Sequence, residues 1–224
     1  MLIVYRILWI VGLVALIVEL ALLANPRVRA PQSSKEWQIV QEGSFTMRAP
    51  KQFRSARVPN FMLAMYGSDS EFRVLEAVFL TRGRRFGMEI LVVSPKQMNL
   101  PPPFGQAQNP LAQPPTMGQL LRKAHASYIA SLREDWEFVD FKETGNRSVK
   151  VQGVPALRSD YTCKIPHPID FLSMPLQGFL ITVPLSQNQI VHINAYAPPG
   201  SFKEYEKVYE QMIASLRIQQ GGYR

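Results

Sequence analysis
Three histidines, one cysteine and a short run of carboxylates are the side chains of this sequence best suited to chemistry. His125, His167 and His192 share no metal-ligand spacing such as HxxxH, so a metal centre would have to be assembled by the fold. Cys163 and His192, with Asp160 or Asp170 as orienter, have the types for a nucleophile and its base on neighbouring strands. No nucleophile elbow, Walker loop or GxGxxG accompanies them. The plainer reading is a small buried thiol, and histidines that sit at the surface or are satisfied in the core. In REDWEFVD, Glu134, Asp135, Glu137 and Asp140 crowd a helix-to-strand junction, where a solvated acidic corner is expected and cation binding is the lesser alternative. A lone cysteine rules out an internal disulfide, a CxxC zinc site and a lipoprotein anchor. Asn146-Arg147-Ser148 is a glycosylation sequon by pattern only. The sequence therefore assigns no catalytic, metal or cofactor-binding residue, expects no cofactor, and reads as a non-enzyme.

The formal net charge is +8, and the cations cluster. Arg48, Lys51, Arg54 and Arg57 lie in RAPKQFRSAR, and Arg82, Arg84 and Arg85 in RGRR. Each cluster suits phosphates, anionic headgroups or an acidic protein face, and each is equally readable as solvated charge around a turn. Few aromatics interleave with these arginines, so a nucleic-acid partner is not expected.

The N-terminal stretch Leu2 to Ala24 contains only two charged residues, Arg6 and Glu19. As a helix at about 1.5 Å per residue it matches the roughly 30 Å hydrocarbon core of a bilayer. Ala21 and Ala24 miss the A-x-A spacing of a signal-peptide cut, and Pro31 follows Ala30, so an uncleaved anchor is expected. Arg27, Arg29 and Lys35 after the span favour a cytoplasmic domain by the positive-inside rule. A signal-anchor that begins almost at residue 1 favours export, and the extracytoplasmic, periplasmic side of an inner membrane is preferred. Glu19 lies near the end of the span, where it either snorkels to the interface or meets a cation on another helix. Arg6, 13 residues away, falls on nearly the opposite face of the helix.

After a polar stalk over 25–36, a domain is expected over 37–218 with a short tail at 219–224. Several strand-like runs open it, including WQIVQEGSFTMRAP, EFRVLEAVFL and RRFGMEILVV. Residues 94–115 carry no apolar periodicity and many of the chain's 18 prolines, which predicts a long loop able to dock a partner or to sit passively. A helix is predicted from Thr116, where Thr116 and Gln119 match a capping box and Leu120, Leu121, Ala124, Tyr128 and Leu132 recur at helical spacing. WEFVDF, RSVKV, VPALRSDYTCKI, GFLITV and QIVHINAY read as further strands, with TGN and SQN as turns. Alternation at Phe179, Ile181 and Val183, and at Val191, Ile193 and Ala195, predicts half-buried strands. The final helix is predicted from a second box, Ser201 and Glu204, with a stripe from Phe202 to Leu216. These elements predict an α+β sandwich with helices covering an antiparallel sheet.

GSFTMRAPKQF, MGQLLRKAHASYIASLREDWEFVDF, VQGVPALRSDYTC and FLITVPLSQNQIVHINAYAPPGSFKEYEKVYEQMIASLRI together resemble the PsbP-like group of domains, relatives of an extrinsic photosystem II protein that include the DcrB-like lipoproteins. The resemblance covers most of residues 41–218 and implies an α/β/α sandwich with a central and a C-terminal helix. It also implies a non-enzymatic, extracytoplasmic domain associated with membrane complexes. The expected function is an accessory subunit, held by its helix, that docks on and stabilises a larger membrane complex, photosynthetic or respiratory. Its partners would be integral membrane subunits and lipids, met through Glu19, Arg27, Arg29, Pro101, Pro102, Pro103, Phe104, Arg82, Arg84 and Arg85. The alternative is a tethered module binding a small ligand or lipid in a cleft between sheet and helices.

Overall fold
The structure is a computed structural model that describes residues 2–23, 29–63, 71–96, 116–135, 137–186 and 188–219. Strand β1 (Trp37–Glu42) pairs with β2 (Phe45–Pro50), and β3 (Arg54–Arg57), the single-turn α2 (Asn60–Leu63), β4 (Phe72–Arg82) and β5 (Phe86–Pro95) follow. After α3 (Met117–Glu134) come β6 (Val139–Val151), β7 (Val154–Ile165), β8 (Met174–Ser186), β9 (Gln189–Ala197), α4 (Pro199–Ser215) and β10 (Arg217–Ile218). Seven strands form one sheet in the order β3-β4-β5-β9-β8-β7-β6, every pair antiparallel, and β1-β2-β10 form a second, smaller sheet.

The central strands of the large sheet, β5, β9 and β8, are largely buried on both faces. Met88, Ile90, Val92, Phe179, Ile181, Val191, Ile193 and Ala195 pack under α4 and the small sheet, with Phe202, Tyr205, Val208, Tyr209 and Met212 of α4. Leu91, Val93 and Ile190 point the other way, toward Leu121 and Ala124 of α3. Strands read as half-buried from their alternation thus have no wet face: in β9 every residue from Ile190 to Ala195 is buried. Each large apolar side chain so enclosed contributes about 1.5–3 kcal/mol of transfer free energy, which makes α3 and α4 the covers of one sandwich.

Several local expectations change. Thr116 caps α3 as predicted, its side chain accepting from Gln119 N while the Gln119 side chain reaches back to the Thr116 N–H at 2.8 Å. The second capping box does not form: α4 starts three residues earlier, at Pro199, whose missing N–H suits the first helical turn, and Ser201 is buried inside the helix. TGN is not a turn. Thr144-Gly145-Asn146 lies within β6, where a bulge between Glu143 and Gly145 absorbs the extra residue, so Val139-Asp140-Phe141 and RSVKV belong to a single strand.

Helix α1 (Leu2–Leu23) is helical as the sequence predicts, and all its side chains from Ile3 to Val18 are exposed. Among the described residues no helix is long and apolar enough to cross a membrane, so the expected transmembrane helix does not stand as a structural finding. The Glu19 side chain, Arg27, and Pro101, Pro102, Pro103 and Phe104 lie outside the described residues.

Candidate functional site
Helix α3 lies mainly over β6, β7, β8 and β9 and reaches β5 from that side, with Leu121 and Ala124 beside Leu91 and Val93 and Tyr128 at Glu89. The result is a cleft of about 880 Å³ floored by Phe79, Glu89, Leu91, His192 and Asn194 and walled by Tyr128, Leu132 and Asp135. Strand β5 supplies the floor because its alternation sends Gly87, Glu89, Leu91 and Val93 into the cleft and Met88, Ile90 and Val92 into the opposite core.

Glu89 sits at the centre of the floor. The Tyr128 hydroxyl donates to its Oε2 at 2.5 Å, and Asn194, its register partner on β9, also hydrogen-bonds to it. Burial raises the Glu89 pKa to about 7; the two hydrogen bonds oppose this, while the charges of Asp135 and Glu137 reinforce it. Asn194 is itself fixed by Tyr161, whose hydroxyl donates to Asn194 Oδ1 at 2.7 Å. Tyr161 and Tyr196 lie across the sheet because glycines make room for them: in register over β7, β8, β9 and β5, Tyr161 pairs with Gly178, Gly178 with Tyr196, and Tyr196 with Gly87. A Cβ on Gly178 would fall 2.4 Å from the Tyr161 ring, and one on Gly87 2.5 Å from the Tyr196 ring.

Behind the cleft a buried polar chain runs through the α3–sheet interface. Ser159 Oγ donates to Glu143 Oε1 at 2.6 Å, so it accepts from His125 Nε2 at 2.7 Å. His125 Nδ1 then accepts from the Thr182 hydroxyl at 2.7 Å, and Thr182 accepts from His192 Nδ1 at 3.0 Å. Every bond in that series is made with both imidazoles neutral. Burial favours the same state, lowering the His125 pKa and bringing that of His192 down to about 3. His192 also stacks on the Tyr128 ring, with centroids 4.7 Å apart, which links the chain to Glu89.

The sequence-level candidates fare unevenly. His125 and His192 are the satisfied core histidines the plainer reading expected. Cys163 is buried beside Tyr161 and Leu176, and burial pushes its thiol up to about 12. It does not meet His192: on β8, Cys163 is paired with Leu176 and His192 with Thr182, six residues or about 20 Å apart. Asp160 is engaged elsewhere, with Arg147 and with Arg158 at 2.8 Å. Glu134, Asp135 and Glu137 line the cleft, whereas Asp140 pairs with Lys164 at 2.6 Å. Among the described residues no group of three or more His, Cys, Asp or Glu is placed to hold a metal ion.

Of the arginines, Arg82 donates to the Tyr205 hydroxyl at 2.6 Å and lies over the Phe86 ring, and Arg85 donates to Met174 Sδ at 3.0 Å. Arg84 is exposed in the β4–β5 turn, and Arg29 donates to Gln32. The RGRR cluster is thus partly spent on internal packing. Sequence reasoning passed over Glu89, Tyr128 and Asn194. The signal for Glu89 was present, a single carboxylate within FGMEILVV, an otherwise apolar strand.

No family model and no curated protein matches the sequence. Solved structures do. The solution structure of cyanobacterial PsbP (CyanoP) from Synechocystis sp. PCC 6803 aligns with a TM-score of 0.51 over 86% of this chain and 98% of its own, at 6% identity. The domain has a PsbP-like fold. Also similar are a Bacteroides thetaiotaomicron protein (TM-score 0.40, 14% identity, 81% of this chain and 47% of its own) and a Pseudomonas aeruginosa protein of unknown function, PA94 (0.36, 12%, 83% and 99%). At these identities the likeness concerns the fold alone.

Proposed function
We propose that the chain is a non-enzymatic accessory subunit: α1, inserted in a membrane, holds the PsbP-like domain beside a larger membrane complex on the extracytoplasmic side. The observation that carries this is α1 itself. Its side chains from Ile3 to Val18 are exposed and apolar apart from Arg6, and such a surface needs lipid or another helix to cover it. Glu19, Arg27 and Arg29 would flank that contact, with Arg84 and the proline-rich segment as further docking points. Extraction in mild detergent followed by native-gel mass spectrometry tests the reading: co-migration with integral membrane subunits is expected, reduced by Glu19→Leu, and migration alone as a monomer overturns it. Protease accessibility of the domain in sealed vesicles of known orientation tests the side.

A second reading is favoured by the cleft, which has the size of a small-molecule site and convergent polar groups on an apolar floor. On this reading the tethered domain is a binding module, and α1 concentrates it near its ligand.

A further inference from the structure
The cleft differs in charge from the rest of the molecule. The chain carries +8 overall, yet Glu89, Glu134, Asp135 and Glu137 line this depression, and among the described residues no lysine or arginine lines it. The cleft is also polarised along its length, as strand register shows. Val93 faces Val74 near Phe72 at one end, whereas Glu89 faces Phe79 four residues, or about 13 Å, further along β5. Helix α3 runs the same way, from Ala124 beside the apolar end to Asp135 at the acidic end. Among the described residues these carboxylates do not converge as metal ligands would.

Building on the second reading above, we propose that this cleft is a binding site for an amphipathic organic cation, a protonated amine. Its ammonium head meets Glu89 and Asp135, and its apolar body lies along Leu91, Val93 and Phe72. Charge complementarity and an aromatic wall favour the head, since Tyr128, Phe138 and Tyr196 stand around the acidic end and their ring faces attract cations. The fold prepares the site: the Tyr161–Asn194 bond and the Tyr128–His192 stack fix the two groups that hold the Glu89 carboxyl before any ligand arrives.

The test uses the purified full chain in mild detergent at pH 8.5, where the Glu89 carboxyl, with its pKa of about 7, is ionised, titrated calorimetrically with three probes of one shape: phenethylammonium, 2-phenylethanol and 3-phenylpropionate. The ammonium is expected to bind at least about tenfold more tightly than the alcohol, as a charge-assisted hydrogen bond implies, with no binding of the carboxylate. Glu89→Gln keeps an acceptor for Tyr128, so near-native unfolding is expected; Asp135→Asn removes the second charge from the other wall. Each is expected to weaken the ammonium about tenfold and leave the alcohol unchanged. If the alcohol binds as well as the ammonium, or the carboxylate binds better, the cleft is a ligand site but the cation is refuted. If none of the three binds, the cation proposal falls together with the binding-module reading. Unaltered ammonium affinity in both variants, with native-like unfolding, also overturns the assignment.

Discussion
Glu89 and His192 share one buried surface under α3 but pull the pH dependence of stability in opposite directions. Glu89 holds its proton more tightly folded, near pH 7, than unfolded, near 4.5. Between those values the native state binds more protons, so its contribution falls by up to about 1.4 kcal/mol per pH unit as pH rises. His192 is the reverse: its folded pKa of about 3 lies below the unfolded 6.5, so the unfolded state binds more protons and stability is lost as pH falls from 6.5 toward 3. The two nearly offset between about pH 4.5 and 6.5, below which the histidine term dominates. Urea unfolding across pH 4–8 is therefore expected to show a broad maximum in wild type. In Glu89→Gln the decline toward pH 7 disappears, and unchanged curves in that variant would show that the carboxyl does not hold its proton.

At the scale of elements, the Tyr161–Gly178–Tyr196–Gly87 row ties four strands into the floor of the cleft. Gly178→Ala would place its Cβ 2.4 Å from the Tyr161 ring and 2.8 Å from the Ala195 carbonyl oxygen, with backbone on one side and a core aromatic on the other. The expected cost is about 1–3 kcal/mol, read as a lower urea midpoint with an unchanged m-value, because Tyr161 must tilt and release Asn194. Helix α4 is secured differently. Gln152, in the β6–β7 turn at φ 50°, directs its amide at the carbonyls of Ile213 and Leu216, 3.0 and 2.9 Å away, and so satisfies the last turn of the helix.

For the whole molecule, the exposed α1 predicts a separation of stability from location. Residues Ile3 to Val18 are all exposed, so removing the chain up to and including Val18 is expected to leave the unfolding free energy of the domain unchanged to within about 0.5 kcal/mol. The same truncation is expected to move the protein out of the membrane fraction on ultracentrifugation. A truncated chain that stays with the membranes would locate the membrane contact on the sandwich itself.

Much of the architecture was legible in the sequence because it rests on local signals: the Thr116 capping box, the stripes of α3 and α4, and the turn at RGRR all act within a few residues. Where a competing local feature existed, the sequence misled, as Gly145 did in appearing to end a strand that a bulge lets continue. The apolar character of α1 and the +8 charge are likewise properties of the chain alone. The cleft is not. Tyr128, Glu89 and Asn194 come from three separate elements, and only the β5–β9 register and the path of α3 over one half of the sheet bring them together. A carboxylate in an apolar strand is an anomaly in sequence. Tertiary structure gave it a hydroxyl, an amide and an open cleft, and burial there is what holds its proton near neutrality.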